Sequence, residues 1–143
     1  MNIAGFVPNA TNAYDGVAFE IYVSGCTSNC KGCHNPELQN FSFGREYRVD
    51  KLLMKLEESR GWFDIIAWLG GDLLDQPDAE EYARLVKNMH QNTPMYLFTG
   101  KEYKDIPKWC FELFDWIKFG PYIEELKQEG FPSSSNQGII KFY

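Results

Sequence analysis

Val17, Phe19, Ile21 and Val23 alternate with Ala18, Glu20, Tyr22 and Ser24, the two-residue period of a strand with one buried face. Beyond residue 48 the period lengthens. Val49, Leu52, Leu53 and Leu56 recur at helical spacing, with Asp50 as the expected cap. Asp64 to Leu69 is a short apolar run bounded by Gly61 and Gly70, which predicts a second strand. Pro77 and Asp78 open the next helix, with Glu81 three residues after the cap and Tyr82, Leu85, Val86 and Met89 as its buried stripe. Pro94 to Thr99 is a third strand, Pro107 starts a helix to Phe114, and Asp115 to Phe119 is a fourth strand. A short helix to about Gln128, stopped by Gly130, precedes a last strand from Gly138 to Tyr143. Met1 to Gly16, rich in Asn, Gly and Ala and holding Pro8, reads as an irregular lead-in; Phe41 to Arg48 is expected to wrap across the surface.

Strand alternating with helix implies right-handed crossovers and a mostly parallel sheet. Five strands are too few for an eight-stranded closed barrel. The expected fold class is therefore α/β, a partial, open (β/α) barrel of about five strands, forming one domain over residues 1–143. Such sheets bind ligands at the carboxyl ends of their strands. Residues 24–37, Gly70-Gly71-Asp72, Thr99-Gly100 and Gly120 each follow a predicted strand, so all four loops fall on one rim.

Composition narrows the partners. A net charge of −6 argues against a nucleic-acid surface, which would favour a basic face. No apolar run approaches the roughly 20 residues of a membrane span, and no charged-then-apolar leader opens the chain. The chain has 4 cysteines, three of them clustered, a pattern expected of a protein in the reducing cytoplasm.

Those three lie in Ser24-Gly25-Cys26-Thr27-Ser28-Asn29-Cys30-Lys31-Gly32-Cys33-His34-Asn35-Pro36-Glu37. Thiolates select zinc, cuprous copper or iron–sulfur clusters. A structural zinc site closes with four protein ligands, and this loop adds only His34. An iron–sulfur cluster normally takes four cysteines, so one held by three keeps an iron free for another ligand. A zinc loop and a disulfide pair are the plainer readings. Cys110, among Trp109, Phe111 and Leu113, is expected to be a buried, inert thiol, and His90 a solvated residue.

The spacing Cys26-x3-Cys30-x2-Cys33 resembles the cluster motif of the radical S-adenosylmethionine (SAM) superfamily. The longer string Gly32-Cys33-His34-Asn35-Pro36-Glu37 is similar to the activating proteins of anaerobic (class III) ribonucleotide reductase. Gly70-Gly71-Asp72 resembles the superfamily's Gly-Gly-Glu motif, with Leu73-Leu74 where activases usually continue Pro-Leu, and Asp15-Gly16 where they carry Gly-Pro-Gly. The resemblance implies a radical SAM-type barrel and one 4Fe-4S cluster on Cys26, Cys30 and Cys33. It also implies SAM on the open iron and contacted by Gly32, Cys33, His34, Gly70, Gly71, Asp72 and Thr99. Asp72 would hold the SAM amino group. The activity implied is one-electron cleavage of SAM to a 5′-deoxyadenosyl radical, which installs a glycyl radical on the reductase large subunit. Flavodoxin or ferredoxin would supply the electron. A radical SAM enzyme of small molecules, such as a 7-carboxy-7-deazaguanine synthase, and a non-enzymatic metal-binding module are the alternatives.

Overall fold

The computed structural model describes residues 1–11 and 14–142; Asn12, Ala13 and Tyr143, which fall in the expected lead-in and last strand, lie outside the described residues. Ten elements follow in chain order: β1 (Asn2–Ala10), β2 (Ala18–Val23), β3 (Arg45–Glu46), α1 (Val49–Glu58), β4 (Ile65–Gly70), α2 (Ala79–Met89), β5 (Met95–Phe98), α3 (Lys108–Leu113), β6 (Trp116–Phe119) and β7 (Gly138–Lys141). The strands form one 7-stranded sheet in the order β3-β1-β2-β4-β5-β6-β7. Its middle, β2-β4-β5-β6, is parallel. Both flanks are antiparallel, and the sheet does not close.

Alternate residues of a strand face opposite sides, which splits the core in two. Phe19, Ile21, Val23, Ile66, Trp68, Met95, Leu97 and Ile117 pack beneath α1 (Leu52, Leu56), α2 (Tyr82, Val86) and α3 (Cys110, Leu113). The opposite face carries Ala18, Ile65, Ala67, Tyr96 and Trp116, with Tyr14, Leu69 and Phe98 against them. A parallel strand covered on both sides reads as a continuous apolar run, which is why β4 shows no alternation in the sequence.

Several expectations need correcting. The lead-in is not irregular: β1 pairs with β2 over most of its length, with register breaks between Ile3 and Gly5 and between Val7 and Ala10. Only Ile3 of this strand is buried, so hydrophobic patterning had almost nothing to report, and Pro8 sits in an exposed stretch beside the second break where no ladder donor is needed. With β1 and the two-residue β3, the sheet has 7 strands where five were expected. Arg48, not Asp50, occupies the cap position of α1, and Asp78 caps α2 by position without a side-chain hydrogen bond. Met89 is 48% exposed, not part of the buried stripe. The expected helix to Gln128 is a single tight turn at Glu124–Leu126.

His90 is the sharpest reversal. It is 4% exposed, not solvated. Helix α2 ends on it, and its ring lies 5.9 Å from that of Phe63. Burial pulls its pKa below the usual histidine value, with the Arg60 charge acting the same way.

Candidate metal centre

Strand β2 ends at Val23, and the backbone then turns into a loop pinched at its root. Gly25 N donates to Leu38 O at 2.8 Å and Cys26 N to Gln39 O at 3.3 Å, so the loop leaves and returns at one place. Between these points Asn29 and Gly32 take left-handed φ values of 50° and 75°. Those turns let three cysteines separated by only a few residues point to a common side. Cys26, Cys30 and Cys33 are free and half-buried, and all three line one cavity of about 290 Å³. Burial raises the Cys26 thiol pKa, with the charges of Asp72 and Asp75 adding to the effect.

Gly70 and Gly71 follow β4 and are wedged against that root. A Cβ on Gly71 would stand 2.5 Å from Gly25 O and 2.7 Å from Leu38 O, and one on Gly70, at φ 108°, would stand 2.7 Å from Val23 O. Asp72 N closes the contact by donating to Gly25 O at 2.9 Å, joined by Gln76 Nε2 at 3.1 Å. The glycines therefore serve the cluster loop itself before they serve any ligand.

Asp72 turns inward and is fully buried. Its Oδ1 accepts from Leu74 N and Thr99 Oγ1, both at 3.0 Å; its Oδ2 accepts from Thr99 Oγ1 at 2.9 Å and Gly100 N at 2.8 Å. Burial raises its pKa, and the hydrogen bonds from Gly100, Leu74 and Thr99 oppose that rise. Thr99 and Gly100 line the cavity; Asp72 stands behind them. The four rim loops expected from the sequence thus meet at one cavity, since Gly120 lines it as well.

The sequence profile of the 4Fe-4S single cluster domain matches residues 14–140. The chain belongs to that family. Among curated relatives, the anaerobic ribonucleoside-triphosphate reductase-activating protein of Vibrio cholerae is 27% identical over 153 residues, covering 99% of both chains. The protein of the same name from Salmonella typhimurium is 26% identical over 135 residues, covering 87% of this chain and 88% of its own. A pyruvate formate-lyase-activating enzyme of Clostridium pasteurianum is 33% identical over 67 residues, 44% of this chain and 28% of its own.

The donor set fits the family's cluster. Cys26, Cys30 and Cys33 are unpaired thiols on one side of a single loop. Cys110, the remaining cysteine, is fully buried in the core under the helices, and burial pushes its pKa up to about 12. Three thiolates and no fourth suit a cluster with one iron left for another ligand. Among the described residues, no helix is long and apolar enough to cross a membrane.

The other expected contacts are distributed unevenly. His34 lines the cavity but leans on Tyr122, ring centroids 5.0 Å apart, at the rim. Gly32 is exposed and lies outside the lining; a Cβ there would meet the Glu124 carboxylate at 2.6 Å. Gln137, just before β7, also lines the cavity and donates through Nε2 to Gly120 O at 3.1 Å, fixing the loop after β6.

Sequence reasoning missed Lys118. It is the one formally cationic side chain among the described residues that line the cavity, with Nζ 5.7 Å from the centroid of the Phe98 ring. Burial lowers its pKa, while Asp72 and Cys30 act to raise it. The signal was present: Trp116, Ile117 and Phe119 make β6 apolar on both faces, and a lone lysine inside such a strand costs too much to bury without a partner for its charge.

Proposed function

We propose that this chain is the activating enzyme of an anaerobic ribonucleoside-triphosphate reductase, a radical SAM enzyme of open-barrel type that installs a glycyl radical on the reductase large subunit. One observation carries the reading. Three unpaired cysteines and a Gly-Gly turn converge on one cavity with no fourth thiolate, in a chain similar end to end to the Vibrio activating protein.

Cys26, Cys30 and Cys33 would hold the cluster, and the position they leave open would take SAM. Once both are bound, they would supply one-electron, radical chemistry that takes a hydrogen atom from glycine. This chain's residues supply binding, orientation and exclusion of water. Gly70 and Gly71 expose backbone to the ligand's amino-acid end. Thr99 and Gly100 would form the floor there, held by Asp72 from behind, and Lys118 would take the ligand's carboxylate. His34, with Tyr122 behind it, would border the adenine, and Gly32 makes the turn that aims Cys33 inward. A cavity of about 290 Å³ suits a cofactor and leaves little room for a second small molecule, so the substrate is a protein whose surface covers the mouth. A flavodoxin or ferredoxin is the electron donor this scheme asks for.

The test mixes cluster-loaded protein, SAM, a one-electron reductant and a class III reductase from the same source under anaerobic conditions. A glycyl-radical signal in electron paramagnetic resonance, absent when SAM or the cluster is omitted, is expected. Turnover of a deazapurine precursor without that signal would overturn the assignment.

A further inference from the structure

Three rim loops are tied together beside the first cysteine by one carboxylate. Thr27, directly after Cys26, donates its backbone N–H to Asp75 Oδ2 at 2.8 Å and its hydroxyl to both Asp75 oxygens at 3.1 Å. Lys101, directly after Gly100, places Nζ 2.5 Å from Asp75 Oδ1 and 3.4 Å from Thr27 Oγ1. Asp75 belongs to the tight turn after β4, so the knot joins the loops that follow β2, β4 and β5. It is shielded: the side chains of Asp75 and Lys101 are 7% and 25% exposed. The Cys26 Sγ, an Asp72 oxygen and an Asp75 oxygen all lie within 4.8 Å of one another.

Fixed charge this close to a cluster ligand changes how readily the cluster accepts an electron, and hydrogen bonds and charge around the sulfurs are the protein's main means of setting that potential. A carboxylate beside the first thiolate opposes a further negative charge; the ammonium opposes the carboxylate. We propose that Asp75 and Lys101 are positioning residues that hold Cys26 through Thr27 and set the cluster's reduction potential by opposing charges. The inference rests on the cluster being held by Cys26, Cys30 and Cys33.

The experiment uses the full chain, reconstituted anaerobically, with iron and sulfide measured per chain and the cluster titrated with dithionite, which delivers one electron per cluster. Asp75→Asn keeps an oxygen for Thr27 N–H but removes the charge. It is expected to increase the ratio of reduced to oxidised cluster about tenfold at a fixed poise, a rise of about 59 mV for a one-electron couple. Lys101→Met is expected to lower the potential by a similar step, and the double variant to return near the parent value. Thr27→Val, which loses a hydroxyl but no charge, should leave the potential in place. Shifts of the same sign in Asp75→Asn and Lys101→Met, or no shift in either, would overturn the proposal. If Asp75→Asn holds no iron, Lys101→Met alone decides: a potential at or above the parent's overturns it. A parent protein that binds no iron would instead sink the reading of the three cysteines.

Discussion

Gly71 and Gly25 meet backbone to backbone: a single Cβ on Gly71 would come within 2.5 Å of the Gly25 carbonyl oxygen. Because the obstacle is main chain at the root of the cysteine loop, it cannot swing aside. Gly71→Ala should therefore displace the loop, at about 1–3 kcal/mol, the usual cost of overpacking. Thermal unfolding should show a fall of several degrees, and iron content after reconstitution should drop. An alanine variant with parental melting temperature and full iron would show that the two loops are free to part.

Asp72 makes a second prediction, with a different cause. Asp72→Ala strips the acceptor from Leu74 N–H, Gly100 N–H and the Thr99 hydroxyl at once. Leaving buried donors unpaired costs about 1–3 kcal/mol. The variant should keep its three cysteines in place and its iron, yet lose both stability and SAM affinity, since Thr99 and Gly100 would form the floor of the proposed SAM site. Asp72→Asn, which keeps one oxygen, should fall between the two. Loss of SAM affinity with no loss of stability would mean the carboxylate reaches the ligand directly.

How far the sequence reached depended on how local each signal was. Strand β2, helices α1 and α2 and the four rim loops were legible because their apolar periods and glycines record local demands. Strand β1 was not, since its pairing comes from β2 and only Ile3 is buried. The cysteines could be read from spacing alone, as could the glycines. Asp72 was legible as part of a rim loop but not in its orientation, which depends on Thr99 and Gly100 some 27 and 28 positions away. The tie between Asp75 and Lys101 escaped notice for the same reason, as it joins residues 26 positions apart.

The buried imidazole of His90 gives a pH prediction. Its folded pKa lies below the unfolded value of roughly 6.5. Between those two values the unfolded chain binds the proton and the folded chain does not, so stability falls as pH drops below about 6.5 and levels off beneath the folded pKa. Denaturant midpoints measured from pH 7.5 to 5 should fall more steeply for the parent than for His90→Gln. Parallel curves would mean that the ring titrates alike in the folded and unfolded chain, and a shallower fall for the parent would mean that it is protonated in the fold, paired with Glu57 at 3.9 Å.

Ligand assignment separates cleanly by cysteine. Cys26→Ala, Cys30→Ala and Cys33→Ala should each abolish iron binding, because two thiolates cannot retain the cluster. Cys110→Ala should retain it, as that thiol is fully buried under the helices with its pKa pushed up to about 12. Loss of iron in the Cys110 variant would replace the open-site arrangement by a four-cysteine one.

Lys118 carries the last prediction, because it is the cavity's one cationic side chain among the described residues and burial works against its charge. A half-buried ammonium without a carboxylate partner is held at a cost, which a bound anion offsets. If that anion is the methionyl carboxylate of SAM, Lys118→Met should leave iron and sulfide unchanged and weaken SAM binding. Charge-assisted hydrogen bonds contribute about 1.5–3 kcal/mol, or roughly 10- to 150-fold in affinity. The apoprotein should respond the opposite way: methionine removes a half-buried charge from the apolar strand β6, so the unliganded variant should unfold at higher temperature than the parent. Binding measured by equilibrium dialysis and melting followed without ligand check the two halves together. Weaker SAM binding with a higher melting temperature marks a ligand-directed lysine; lower melting temperature with unchanged binding would make Lys118 a structural residue and leave the carboxylate to another group.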